Sequence, residues 1–343
     1  MKREPIILIT GANGEVGHGL IQYLSEQPHA PEIIAFDLQP LDEALRPLVK
    51  HYLVGDVLDT TLLDTLHQEY EIDTIYHLAA LLSTTGEKFP EKAHEVNVQG
   101  TVKLLHMAIR ESEARGIPVK FIYPSSIAVY GLPDLTTKQV AGAVAEDDFL
   151  MPTTMYGVNK LYGEHVGRYY ARHYKQLADT PGTGIDFRCV RFPGLISALT
   201  VPSGGTSDYA PEMIHAAAQG QPYTCFVRED TIIPFMAMPD AIRALLQLAE
   251  APRESLSREV YNVTAFSASA AEIAELTRDA FPGIEIDYHP HAGRQGIVDT
   301  WPGLLDDRSA RTDWGWDPQY DRQKTFLDYL FPTIRRRYAA EPI

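Results

Sequence analysis

Tyr156 and Lys160 stand four residues apart in Tyr156-Gly157-Val158-Asn159-Lys160. On a helix this spacing puts both side chains on one face. A phenol with an ordinary pKa near ~10 is a poor proton acceptor at neutral pH. An ammonium group within about 4–6 Å favours its ionised form, which suits proton removal from an alcohol as its carbon is oxidised. Upstream, Pro124-Ser125-Ser126-Ile127-Ala128-Val129-Tyr130-Gly131 presents two hydroxyls after an apolar run. Ser126 is the better placed to hold the alcohol oxygen beside Tyr156, with Ser125 next to a cofactor. The competing reading of these serines is an ordinary turn after proline, but it leaves the Tyr–Lys pair unexplained.

A second group of residues reads as the cofactor site. Thr10-Gly11-Ala12-Asn13-Gly14-Glu15-Val16-Gly17 directly follows the apolar run Ile6–Ile9. Gly11, Gly14 and Gly17 at such a strand-to-helix turn permit close approach of a pyrophosphate to the backbone. The same turn brings Asn13, Glu15 and Val16 to the cofactor. Asp37, followed by Leu38, ends the run Ile33-Ile34-Ala35-Phe36. A carboxylate there accepts hydrogen bonds from ribose hydroxyls and repels a 2′-phosphate, which favours NAD over NADP. Asp56, before Val57, either meets the adenine amine or is a solvated turn residue. Leu78, Ala79 and Ala80 are small enough to let a cofactor lie on the backbone, whereas His77 reads as a core histidine.

These residues need elements to hold them. Strands are expected over Ile6–Thr10, Ile33–Asp37, His51–Val54, Thr74–Leu78, Val119–Tyr123 and Asp186–Val190. Helices are expected over Gly14–Gln27, Leu62–Tyr70, Ala93–Arg115 and Met155–Leu177. Apolar strands alternating with helices predict an α/β fold, a doubly wound parallel Rossmann-type sheet. The domain reading is an NAD-binding Rossmann-type domain over 1–192, to which the chain returns around 223–265. Residues 193–343 mainly form a smaller C-terminal substrate-binding domain, punctuated by Pro202-Ser203-Gly204-Gly205 and Trp301-Pro302-Gly303. Residues 131–152 read as a long insertion of the kind that covers active sites.

Composition narrows the partners. The 343 residues are 45% hydrophobic and carry a net charge of -16, which opposes binding to nucleic acid or an anionic membrane. Cys189 and Cys225 have no disulfide or metal-ligand spacing, and no ligand cluster suggests a metal. The chain lacks a run of ~18 apolar residues, and Met1-Lys2-Arg3 leads into a strand without room for a signal peptide. A cytoplasmic, soluble protein is expected.

Gly11, Gly14, Gly17, Asp37, His77-Leu78-Ala79-Ala80, Asn97, Ser126 with its Ala-Val-Tyr-Gly, and Tyr156/Lys160 together resemble the extended short-chain dehydrogenase/reductases. The resemblance spans essentially the whole chain. It implies that Asn97, Pro124, Pro193 and Leu195 join the cofactor site and that a homodimer forms through the helices at 93–115 and 155–177. Longer segments from Arg191 to Ser197, Pro202 to Ala210, Pro234 to Asp240, Tyr261 to Ser267 and Arg294 to Pro302 resemble the branch that oxidises L-threonine at its β-carbon. That branch implies L-2-amino-3-oxobutanoate as product and hydride transfer to nicotinamide C4. It also implies substrate contacts from Ser83, Ser126, Tyr156, Gly205, Thr206 and Trp301. Before the helical pattern that begins near Pro211, the Gly204-Gly205-Thr206 turn offers backbone amides for a carboxylate, with Ser207 and Asp208 as helix caps. The nearest alternative is a nucleotide-sugar 4-epimerase with tightly held NAD; Arg294 lies where such an enzyme could hold a diphosphate, so this residue does not discriminate between the two.

Overall fold

Apolar segments of the first half become parallel strands, largely buried on both faces except for the edge strand at His51–Val54. The computed structural model describes residues 5–179, 182–202 and 204–339. Met1-Lys2-Arg3, Ser203 and the last four positions of the C-terminal extension lie outside the described residues. The first strands are β1 (Pro5–Thr10), β2 (Ile33–Asp37), β3 (His51–Val54), β4 (Glu71–His77), β5 (Lys120–Ser126), β6 (Ala143–Val144) and β7 (Asp186–Phe192). The second half adds β8 (Gly194–Ile196), β9 (Tyr223–Cys225), β10 (Ile232–Ala237), β11 (Val260–Asn262), β12 (Phe266–Ser269), β13 (Ile286–Tyr288) and β14 (Leu304–Leu305). The main sheet is seven-stranded and parallel, in the order β11-β7-β5-β4-β1-β2-β3.

Helices cover both faces, as sheets of continuous apolar strands require. They are α1 (Glu15–Ser25), α2 (Thr60–Glu69), α3 (Ser83–Lys88), α4 (Pro90–His94), α5 (Thr101–Arg115), α6 (Leu135–Val140) and α7 (Met155–Arg172). Then follow α8 (Tyr209–Ala218), α9 (Met238–Glu250), α10 (Ala270–Ala280) and α11 (Ala292–Asp299). Leu20, Ile21 and Leu24 of α1 share one core with Leu245 and Leu248 of α9. Leu63 and Leu66 of α2, Leu104, Leu105 and Ala108 of α5, and Tyr170 of α7 fill the opposite face.

Some bounds shift, with α7 ending at Arg172 and not Leu177 and β4 running Glu71–His77 and not Thr74–Leu78, and four further features differ from the expected plan. β5 runs three residues past Tyr123, because Pro124, Ser125 and Ser126 pair with Val190, Arg191 and Phe192 of β7. The helix expected over 93–115 contains a π turn at Glu95–Gly100 between α4 and α5. There Gly100 lies so close to Val57 that a Cβ would stand 2.8 Å from its side chain. The chain returns to the main sheet with β11, while β9 and β10 belong to smaller sheets with β13 and with β8 and β12. Finally, the 131–152 insertion joins the second half. Its β6 pairs with β14, and the Leu132 N–H donates to the Thr300 carbonyl at 2.8 Å.

Among the described residues no helix is long and apolar enough to cross a membrane. No cluster of His, Cys, Asp or Glu among them suits a metal ion.

Candidate active site

The carboxyl ends of β1, β2, β4, β5 and β7 open onto one cavity of about 770 Å³. Ligands bind at this edge in doubly wound sheets. Gly11, Asn13, Gly14, Glu15, Val16 and Gly17 line one end. Gly11 has φ +66°, and a Cβ on it would stand 2.6 Å from the Ala79 nitrogen. A Cβ on Gly17 would stand 2.4 Å from the Ala12 carbonyl oxygen. The turn therefore presents bare backbone to the cavity, with α1 drawn tightly under it. Asp37 and Leu38 lie at the end of β2. The Asp37 carboxylate accepts from the Asn13 and Gln39 N–H groups, both at 3.0 Å. Asp56 accepts from the Leu58 N–H at 2.9 Å and, with Val57, also lines the cavity. Leu78, Ala79 and Ala80 floor it.

His77 fixes that floor from beneath. Burial, with a smaller effect of the Lys160 charge, pushes its pKa down to about 3, so the ring is neutral. The Thr101 hydroxyl donates to the Asn97 carbonyl at 2.6 Å, so it can only accept from His77 Nε2, 2.9 Å away. Nε2 therefore carries the proton, and Nδ1 accepts from the Thr10 hydroxyl at 2.8 Å. The Thr10 oxygen in turn accepts from the Ala79 N–H at 3.3 Å. Every donor in this chain points from Ala79 toward the π turn.

Asn97 departs from its expected place. It is buried and does not line the cavity; both ends of its amide hold the backbone of Leu81, at 2.7 and 3.0 Å. It shapes the cofactor floor from behind, because a side chain on the π turn faces the segment after β4 rather than the open cleft.

Tyr156, Lys160, Ser125 and Ser126 meet at the other end with Pro124, Pro193 and Leu195. Thr154 caps α7 by accepting from the Gly157 N–H at 3.0 Å. A Cβ on Gly157 would stand 2.0 Å from the Ala128 carbonyl oxygen, so α7 sits hard against the turn after Ser126. Ser126 accepts from the Ala128 N–H at 3.2 Å, which leaves its own O–H to donate. Lys160 Nζ donates to the Pro124 carbonyl at 2.7 Å and stands 5.7 Å from the centre of the Tyr156 ring.

Burial pushes Tyr156 up to about 12, and the opposing effect comes from the Ser126 hydroxyl. Burial also pushes Lys160 down to about 8. The Ser126 hydroxyl thus eases ionisation of Tyr156, and the Lys160 ammonium beside the ring is anchored to the strand edge.

Ser83, Gly205, Thr206 and Trp301 close the cavity from the second half and the segment after β4. The Thr206 hydroxyl donates to Ser83 at 3.0 Å, and that of Thr84 to the Gly204 carbonyl at 2.8 Å. The Gly205 amide expected to meet a carboxylate is already given to Asp208 at 2.6 Å. Asp208 stands at the start of α8 but makes no side-chain cap there. Arg294 does not line the cavity: it donates to the Gly204 carbonyl at 3.2 Å and lies 4.3 Å over the Phe226 ring. Nor does the 131–152 insertion reach the cavity; it braces the wall that carries Trp301.

Lys92, Asp208 and Met238 also line the cavity, and none was assigned to it from sequence. Met238 follows β10, in a segment whose resemblance carries no site role. Lys92 lies on an exposed helical turn that offered no signal.

The donor set fits NAD: a glycine cradle without Cβ atoms, a carboxylate at the end of β2, and an apolar floor. The model of the "NAD dependent epimerase/dehydratase family" matches residues 7–264. The mitochondrial L-threonine 3-dehydrogenase of Bos taurus is 34% identical, with 92% of this chain and 79% of that protein covered. A partial-consensus L-threonine 3-dehydrogenase structure is 38% identical with TM-score 0.83, covering 98% and 100% of the two chains. A holo GalE-like L-threonine dehydrogenase from Cupriavidus necator is 37% identical with TM-score 0.81, covering 98% and 99%. With cradle, carboxylate and floor assembled on this sheet, the chain belongs to the NAD-dependent epimerase/dehydratase family, as an NAD-dependent oxidoreductase.

Proposed function

We propose that the protein oxidises L-threonine at its β-carbon to L-2-amino-3-oxobutanoate. The observation that carries this reading is the meeting, in one cavity, of Tyr156, Ser126 and Lys160 with Ser83, Thr206 and Trp301. When bound, NAD supplies the hydride-accepting nicotinamide C4; Gly11, Gly14, Gly17, Asp37 and the Leu78–Ala80 floor would hold it.

Tyr156 takes the β-hydroxyl proton. Ser126, with one lone pair occupied by the Ala128 N–H, has a single proton to give: with substrate bound it turns that proton from Tyr156 to the β-oxygen and holds this oxygen in place. Lys160 adds positive charge beside the ring and reaches the cofactor ribose. Trp301 walls the methyl group. The Ser83 and Thr206 hydroxyls meet the polar end of the amino acid, and the Asp208 carboxylate supplies a counter-charge for its ammonium group.

Arg294 adds no support to a nucleotide-sugar epimerase, its guanidinium resting on the Gly204 carbonyl and the Phe226 ring. The reading includes a homodimer through α5 and α7, since Val158, Tyr162 and Tyr169 leave an exposed apolar stripe on α7. A reducing, cytoplasmic location suits the two free, buried thiols. Incubation with NAD and L-threonine tests the reaction: NADH accumulates over many turnovers. A flat trace with L-threonine alongside interconversion of UDP-sugars replaces this reading with the epimerase one. Sedimentation tests the dimer.

A further inference from the structure

On α7, Tyr156 and Lys160 are followed at the next four-residue step by Glu164, which is completely buried. Arg191 of β7, also completely buried, grips both oxygens of its carboxylate: Nε to Oε1 at 2.8 Å and Nη2 to Oε2 at 2.6 Å. The Ser125 hydroxyl donates to Oε1 at 2.6 Å. Its proton is thereby committed, and only its lone pairs remain for the cavity. The other arm of Arg191, Nη1, donates to the Tyr130 hydroxyl at 2.9 Å and the Glu146 carbonyl at 2.5 Å. Such a pair is costly to desolvate and often contributes little net stability, which turns attention to its neighbours.

The titratable groups around Lys160 are Tyr156 and Glu164 on its own helix, Tyr123 on β5, Cys189 on β7 and His77 on β4. Burial holds the Tyr123 phenol and the Cys189 thiol neutral, with pKa values pushed well up. Tyr156 is likewise protonated and His77 uncharged at neutral pH. Glu164, ionised in its two-pronged pairing with Arg191, is the anion of this group. We propose that Glu164, clamped by Arg191, is a positioning residue for the proton-transfer group: it fixes the Ser125 hydroxyl and gives the buried Lys160 ammonium its negative counter-charge. This rests on Tyr156 and Lys160 acting as proposed above.

Glu164→Gln removes the counter-charge but leaves a buried guanidinium unpaired. Glu164→Gln with Arg191→Met removes both ions together, so a folded protein can be compared. In Glu164→Gln Lys160 loses its proton at a pH lower by about one unit, read by NMR titration of ε-¹⁵N-labelled lysine; the double variant, which removes the Arg191 cation as well, shifts it in the same direction by less. The alkaline limb of kcat/KM for L-threonine moves by the same amount. Glu164→Asp, which keeps the charge, leaves both near their wild-type positions. Variants that lose thermal stability while the lysine titration and the alkaline limb stay in place overturn the proposal, leaving Glu164 a structural ion pair. Wild-type protein that forms no NADH from L-threonine defeats the functional reading instead. The lysine titration, which needs no substrate, still decides the role of Glu164.

Discussion

The two ends of the cavity are built from different materials. At the cofactor end, backbone does the work: glycines without Cβ clearance, a helix drawn under β1, and a floor pinned by His77 and Asn97. At the end proposed for the substrate, short hydroxyl side chains tie the first turn of α3 to the loop before α8, Thr206 to Ser83 and Thr84 to the Gly204 carbonyl. A backbone cradle tolerates no added atom. A set of hydroxyl ties loses one contact at a time, so substitutions there should tune affinity rather than abolish it.

The largest effect that separates the ends comes from the chemistry between them. Tyr156→Phe is expected to lower kcat by about 10³-fold while NAD affinity, measured by fluorescence titration, stays within about twofold of wild type. Activity close to wild type in this variant removes Tyr156 as the base. Next in size is Gly11→Ala, which places a Cβ against Ala79 at positive φ. It should weaken NAD binding at least tenfold and destabilise the fold by about 1–3 kcal/mol. An unchanged NAD affinity would dissolve the contrast between the two ends.

Thr206→Val keeps the shape and deletes the tie to Ser83. It should raise the KM for L-threonine by about tenfold, as for one lost hydrogen bond of about 1–1.5 kcal/mol, with NAD affinity unmoved. A parallel loss of NAD affinity would mean the ends are coupled. The smallest effect concerns pH. Lys160 is pushed from 10.5 down to about 8 in the folded protein, so between those values the unfolded chain binds more protons. Stability therefore rises with pH across that window. Lys160→Met should show a shallower rise in Tm from pH 8 upward than wild type; identical slopes would deny the shift.

The same contrast governs what the sequence disclosed. β2 and β3 fall on their expected bounds, because continuous apolar runs between turn residues leave little choice. Gly11, Gly17 and Asp37 were legible for the same local reason. The π turn was not, since helical periodicity hides one added residue, and with it went the true position of Asn97. The end of β5 is hidden in the sequence, because a proline and two serines look like a turn until β7 is beside them. The bracing role of 131–152, the capture of the Gly205 amide by Asp208, and the burial of Glu164 against Arg191 depend on partners supplied by the fold. No window of neighbouring residues contains that information.

The π turn at Glu95–Gly100 also holds slack in chain length. Deleting one residue there would let the backbone close as ordinary α-helix with α5 kept in register, because the π turn already absorbs one residue more than an α turn holds. Leu104, Leu105 and Ala108 would stay buried against the sheet. The cost would fall on the turn itself, where Asn97 grips Leu81 and its carbonyl takes the Thr101 hydroxyl. One residue added further along, inside α5, has no such slack: everything beyond would rotate by about 100° and carry those side chains out of the core.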